Sequence, residues 1–182
     1  QALLELMIAL EVRHRVGEAA EPTPGASLLG ATLLLYLEPP SAFACMQAML
    51  RGHAIGRLHS YDGRWAWRVR AANRAISREL PVLSKHLAAL GVSNETFLLE
   101  WLSTLFVSTL ALDTATRVWD CYLRDGEAML WHTMLELLRL LAPRLLEATD
   151  AAEALGVLRA TAAVGGVTEK ALFKSLASNS VA

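Results

Sequence analysis

The sequence is poor in cysteine and in the residues that interrupt regular secondary structure. Its 182 residues include 11 glycines, 6 prolines and 2 cysteines, against a hydrophobic share of 54%. The glycines and prolines fall between apolar blocks, and those blocks are dominated by Leu and Ala, which favour helices. Runs of β-branched residues, which favour strands, are scarce. The sequence therefore predicts an all-α fold.

The scarcity of cysteine also limits the chemistry that the chain can carry. Cys45 and Cys121 lie in apolar helical stretches without Cys-x-x-Cys spacing, which argues against a disulfide scaffold and fits structural thiols in a reducing compartment. The five histidines lack the spacing that places two metal ligands on one helical face, and the nearest group, His59 with Asp62, lies in a predicted loop. We therefore expect no metal and no cofactor.

Net charge and long apolar runs are lacking as well. A formal charge of −1 gives no field that would attract nucleic acid. Trp65 and Trp67 among arginines could stack on bases, but we favour a helix with tryptophan towards the core and arginine outward. No apolar run reaches the roughly 20 residues that a membrane span requires. Phosphate-binding glycine motifs are missing, so we expect no nucleotide bound by this chain itself.

Apolar periodicity and turn residues predict a series of helices along the chain. We expect Ser41 to cap the third of them, and Pro143, Asp150 and Thr168 to introduce three short ones near the end. The other helices are predicted over Ala2–Arg15, Ser27–Leu37, Ala42–Leu50, Arg64–Arg78, Pro81–Leu90, Asn94–Val107, Thr114–Arg124 and Glu127–Leu141.

Several spaced motifs from Pro81 to Gly126 form the most specific signal. They are Pro-x-Leu, His-Leu, Trp-x-x-Thr-Leu-Phe, Leu-Ala-Leu, Arg-Val-Trp-Asp and Asp-Gly, with key positions Pro81, His86, Trp101, Phe106, Trp119, Asp120 and Gly126. This series resembles the C-terminal subdomain of the TBC domain of Rab GTPase-activating proteins, in order and in spacing. One element departs from the family pattern, because Ala111 stands where the family has proline.

The residues of this signature have a structural interpretation of their own. We expect Trp101, Phe106 and Trp119 to be core aromatics and Asp120 to need a partner such as an arginine. Trp119 and Asp120 are then fold determinants rather than catalysts. The resemblance implies two helical subdomains, which we place at 1–60, a partial N-terminal subdomain, and 61–182.

The block from Gly25 onward resembles the segment that follows the family's Tyr-x-Gln-Gly-Met motif. Aligning the two on Gly25 places Pro22 at the tyrosine, Pro24 at the catalytic glutamine and Ala26 at the methionine. The resemblance implies that active members use this glutamine to position the attacking water, together with an arginine that stabilises charge on the γ-phosphoryl group. A proline side chain has no donor or acceptor, so Pro24 cannot replace the glutamine.

The family's arginine finger belongs to an Ile-x-x-Asp-x-x-Arg motif well upstream of the glutamine. Here only Ile8, Glu11 and His14 have that spacing, and they lie too close to Pro24. We therefore expect the first helix to correspond to the helix after that motif, and both catalytic fingers to be missing from this chain. No residue is predicted to be catalytic.

The resemblance implies a Rab-family GTPase as the partner. Arg13, Arg15, Pro24 and Gly25, around a divergent finger loop at 17–25, are the candidate partner-binding residues. We expect a Rab-binding effector or scaffold in the cytoplasm, recruited to membranes through its Rab. Two alternatives stay open: an active GTPase activator that uses an arginine outside this chain and the Rab's own glutamine, or a helical interaction scaffold with no GTPase partner.

Overall fold

The computed structural model describes residues 1–15, 25–52, 63–159 and 166–179, and every regular element in these ranges is an α-helix. The all-α prediction is confirmed. The ten helices of the described ranges are α1 (Ala2–Arg15), α2 (Ala26–Leu34), α3 (Pro39–Gly52), α4 (Gly63–Glu79), α5 (Pro81–Ala89), α6 (Asn94–Ser103), α7 (Leu112–Asp125), α8 (Glu127–Glu147), α9 (Ala151–Arg159) and α10 (Glu169–Ser178).

Local capping explains several helix ends. The Ser93 hydroxyl accepts a hydrogen bond from the Glu95 amide at 3.3 Å at the start of α6. The Asp150 carboxylate accepts one from the Glu153 amide at 2.8 Å at the start of α9. Both bonds satisfy amides that have no partner inside the helix. Gly126, with φ of 82°, separates α7 from α8, as the sequence predicted.

The long helix predicted over residues 94–107 is wrong at its C-terminal end. α6 ends at Ser103, and Leu105 and Phe106 take left-handed φ angles of 47° and 66°. Both side chains are fully buried. Apolar composition predicted helix here, but tertiary packing of the two side chains compensates for a backbone that non-glycine residues seldom adopt.

Two other predicted boundaries are also corrected. Pro143 does not begin a helix but lies inside α8, which continues to Glu147. The buried residues Leu141 and Leu145 on either side of Pro143 stabilise this continuation, which has one backbone donor fewer. Ser41 is not a cap, because α3 already begins at Pro39, a residue suited to a first helical turn.

The helices pack around one continuous cluster of buried side chains, and the largest fully buried ones are Trp101, Tyr122, Phe97 and Phe106. Helices α1, α2 and α3 contact one another, whereas α8 contacts α4, α5, α7, α9 and α10. The predicted boundary between residues 60 and 61 lies outside the described residues, so the division into two subdomains stays a prediction.

The orientation predicted for the α4 tryptophans is wrong at Trp67. Its side chain is 64% exposed, while Val69, Ala72 and Ile76 supply the buried face of α4. Successive residues of an α-helix are rotated by about 100°, so two tryptophans two positions apart cannot both face the core. The side chain of Trp65 lies outside what the structure describes.

Candidate functional site

The turn from Ser103, the last residue of α6, to Ala111 is the centre of the family signature; we call it the signature turn. Its first part is closed by a hydrogen bond from the Phe106 amide to the Trp101 carbonyl at 2.8 Å. The buried indole of Trp119 on α7 donates to the Leu105 carbonyl at 2.9 Å. Because the backbone here is left-handed, this buried carbonyl accepts no helical hydrogen bond, and the indole N–H satisfies it instead.

Trp101 holds the same turn from the other side. Its ring is buried against Phe97 and Phe106, with centroids 5.0 and 6.1 Å away in tilted geometry. Its indole N–H donates to the Leu158 carbonyl of α9 at 3.2 Å. The three aromatic residues of the signature are therefore core residues here, and Trp101 and Trp119 each use their one donor on a buried main-chain oxygen.

The other signature residues lie at helix ends or on the surface. Pro81 is the first residue of α5, and the His86 Nε2 lies 3.1 Å from the Ala148 carbonyl beyond α8. The arginine partner expected for Asp120 is not found: its carboxylate is exposed, and no residue of the described part of the chain pairs with it. Water can solvate an exposed carboxylate, so Asp120 needs no such partner.

Gly25 docks directly on the signature turn. It has a left-handed φ of 88° and precedes the first residue of α2. A Cβ atom at this position would lie 3.0 Å from Thr104 Cγ2 and 3.1 Å from the Ser103 carbonyl oxygen. Both the backbone angle and the close approach require glycine. Pro24 and the rest of the finger loop at 17–24 lie outside the described residues.

The signature turn also carries a chain of hydroxyl groups that the sequence analysis missed. The Thr104 hydroxyl donates to the Glu100 carbonyl at 2.8 Å and lies 2.9 Å from the Ser108 hydroxyl, which lies 3.3 Å from the Thr109 hydroxyl. The signal in the sequence was small polar residues inside an otherwise apolar block. These neutral groups hold the turn and, having no basic member, do not form an acid–base pair.

Arg13 and Arg15, the two candidate cations, both have neighbours within the protein. The guanidinium of Arg13 lies 5.9 Å from the ring centroid of Phe43 on α3. Arg15, whose side chain is 75% exposed, pairs with Glu11 on the same helix at 2.8 Å. Such an exposed pair contributes only about 0.3–0.5 kcal/mol, so a partner could readily recruit Arg15.

Within the residues that the structure describes, no three His, Cys, Asp or Glu side chains form a group that could hold a metal ion. His59 and Asp62 lie outside those residues. Both cysteines are free and half-buried, and burial raises the pKa of the Cys45 thiol. None of the described helices is both long and apolar enough to cross a membrane.

Sequence comparison relates most of the chain to one family. Residues 21–146, more than two thirds of the chain, match the Rab-GTPase-TBC domain family. Drainin from Dictyostelium discoideum is 32% identical over 127 residues, which are 69% of this chain and 29% of that protein. TBC1 domain family member 12 from Xenopus tropicalis is 35% identical over 124 residues, 68% of this chain and 18% of that protein.

The chain therefore spans less than a third of the length of these two relatives. Its fold is similar to the crystal structure of the Chlamydomonas flagellar RabGAP TBC domain, with a TM-score of 0.79 and 22% identity, over 100% of this chain and 60% of that one. The family match includes the signature turn, Trp119 and Gly25. The chain belongs to the Rab-GTPase-TBC domain family.

Proposed function

We propose that this TBC domain binds a Rab-family GTPase without the family's usual catalysis, as an effector or scaffold. The observation that carries the proposal is Pro24, which stands at the glutamine-finger position one residue before Gly25. Gly25 lies so near Ser103 and Thr104 that an added Cβ would come within 3.0–3.1 Å of their atoms. This close approach supports the alignment of Pro24 with the catalytic glutamine, because the residue after that position packs against the signature turn.

The chemistry of position 24 then argues against efficient activation. An activator of this family supplies an arginine for the developing charge and a glutamine for the water, and an arginine finger alone accounts for roughly 10³–10⁵-fold in rate. Proline supplies neither a donor nor an acceptor. Arg13 and Arg15, at the end of α1, lie against Phe43 and Glu11. We therefore assign these two arginines to partner binding rather than to catalysis.

The proposal is tested by binding to a panel of purified Rab GTPases, each loaded with a non-hydrolysable GTP analogue or with GDP. We expect at least one Rab to bind about tenfold or more tightly in its GTP form. Replacing Arg13 and Arg15 together by glutamate should weaken this binding. Arg51→Glu, an exposed arginine at the end of α3, is the matched control and should leave it unchanged. If no GTP-form Rab bound, the proposal would be rejected.

An active GTPase activator is the second candidate. It is favoured by the fold match, since the Chlamydomonas domain that covers the whole chain is itself described as a RabGAP domain. In this case the arginine comes from outside the chain and the Rab supplies its own glutamine. Pro24→Gln should then raise the rate of hydrolysis about tenfold or more. Pro24→Ala removes the ring without adding an amide and should not raise the rate.

A further inference from the structure

An apolar groove of about 260 Å³ lies between α4 and α8. The three alanines in its lining have no side chain beyond Cβ, so they leave space between the larger groups. The described residues that form its apolar walls are Trp67, Ala71, Ala72, Ala75, Trp131, Met134 and Leu135. Its size and lining suit apolar side chains from a second molecule.

Ion pairs between the two helices mark both ends of this groove. Arg68 donates two hydrogen bonds to Glu127 at 2.9 and 3.2 Å near one end. Arg139 lies 4.0 Å from Glu79 near the other end. From the first ion pair to the second, the residue numbers increase on both α4 and α8, so the two helices run in the same direction. About 16–18 Å separate the two pairs at 1.5 Å per residue, which is the length of about three helical turns.

One edge of the groove is positively charged. Arg70 and Arg74 follow Trp67 by three and seven positions, so the three residues share one side of α4. All three are exposed. Among the described residues, no carboxylate pairs with Arg70 or Arg74. An exposed tryptophan beside two unpaired arginines is the composition of an interface hot spot rather than of an ordinary solvated face.

We infer that this groove binds an acidic amphipathic helix of a partner protein. The apolar side chains of that helix would enter the groove at i, i+3, i+4 and i+7 spacing, and its carboxylates would pair with Arg70 and Arg74. A lipid surface fits less well, because a membrane-binding helix inserts protruding apolar side chains and most of this lining is recessed. Neither α4 nor α8 supplies Arg13, Arg15 or Gly25, so this surface is additional to the Rab-binding residues.

The experiment uses three fluorescent helical peptides of about 14 residues. They share one apolar stripe and carry glutamate, glutamine or lysine on the flank that would face the arginines. Their binding to this chain is followed by fluorescence anisotropy, with vesicles containing phosphatidylserine tested in parallel. We expect saturable binding in the order glutamate, glutamine, lysine, with about tenfold or more between the first and the last.

Two surface variants locate the binding without endangering the fold. Trp67→Ala and the double variant Arg70→Glu/Arg74→Glu should each weaken the glutamate peptide about tenfold, and the double variant should come to prefer the lysine peptide. The matched control is Lys170→Glu/Lys174→Glu, which reverses two exposed cations at the same spacing on α10. It should bind the peptides as the unchanged chain does.

The inference is overturned if none of the peptides binds saturably, or if the affinity for the glutamate peptide is the same in both surface variants as in the unchanged chain. Binding to vesicles alone, lost in Arg70→Glu/Arg74→Glu, would also overturn it and assign the surface to anionic lipid. Rab binding measured on the same variants separates this result from the proposed function. Loss of the peptide with Rab binding intact is the outcome that supports a second docking surface.

Discussion

Trp119 and Trp67 show how differently the signature turn and the outer side of α4 are built. Trp119 is 6% exposed, and its indole N–H is bonded to the Leu105 carbonyl. Trp67 is 64% exposed at the edge of an apolar groove. The first belongs to the family motif and maintains a strained turn, while the second belongs to no motif. In this domain a motif tryptophan therefore supports the fold, whereas a tryptophan outside the motifs remains available on the surface.

Removing the indole donor of Trp119 should destabilise the protein more than any other change considered. Trp119→Phe removes the donor that satisfies the buried Leu105 carbonyl and leaves a small cavity, so we expect a loss of about 3 kcal/mol in the free energy of unfolding. Trp67→Phe makes the same chemical change on the surface and should cost less than about 0.5 kcal/mol. Urea unfolding of both variants measures the difference. Similar losses would contradict the contrast between the two tryptophans.

The contact between Gly25 and the signature turn gives the next effect. Gly25→Ala places a Cβ 3.0 Å from Thr104 Cγ2 at a left-handed φ and should destabilise the protein by about 2–3 kcal/mol. Gly91→Ala has a similar φ of 73° but meets no atom within 4 Å, so it should cost about 1 kcal/mol. Thermal or urea unfolding measures both. Equal losses in the free energy of unfolding would mean that the signature turn shifts to accommodate the added methyl group.

Two ion pairs, one with a nearly buried arginine and one exposed, should differ less in their contribution to stability. Glu127→Gln leaves Arg68, whose side chain is only 11% exposed, without its carboxylate and should cost about 1–2 kcal/mol. Glu11→Gln breaks the exposed pair with Arg15 and should cost no more than about 0.5 kcal/mol. Urea unfolding at low and at 1 M salt distinguishes them further, because salt should reduce mainly the second effect. Equal costs would show that burial of Arg68 contributes little.

The reactivity of the half-buried Cys45 thiol should change only several-fold on unfolding. Burial raises the pKa of its thiol, so the reactive thiolate is less populated in the folded protein than in the unfolded chain at neutral pH. Alkylation of Cys45, followed by mass spectrometry in a Cys121→Ser variant, should be several-fold slower in the native protein than in guanidinium. The native rate should rise with pH until the raised pKa is passed. Equal rates would show that the site is open to reagent.

Much of the fold could be predicted from the sequence because the features that determine the helix bounds act between residues close together in the chain. Ala2–Arg15 was predicted with the bounds that the structure has, and Gly126, Asp150 and Thr168 lie at helix ends as expected. Amphipathic periodicity, caps and positive-φ glycines act within a few residues of one another. The family resemblance, carried by spaced motifs, is confirmed by the match over residues 21–146.

What could not be predicted depends on contacts between distant residues. The left-handed backbone at Leu105 and Phe106 is held by Trp119 on another helix. The docking of Gly25 on Ser103 and Thr104 joins parts of the chain that are nearly 80 positions apart. The groove between α4 and α8 requires knowing which helices are neighbours. Composition and periodicity describe one segment at a time, so they do not show which distant segments contact one another.

The most direct test of the proposed function is single-turnover GTP hydrolysis by a panel of Rab GTPases, with and without an excess of this domain. We predict that no Rab is accelerated more than about tenfold, including the Rab that binds in its GTP form, because Pro24 cannot position the water. Acceleration of one Rab by about 10³-fold or more would contradict the account. It would mean that another residue, with Arg13 and Arg15 the first to examine, supplies the missing charge.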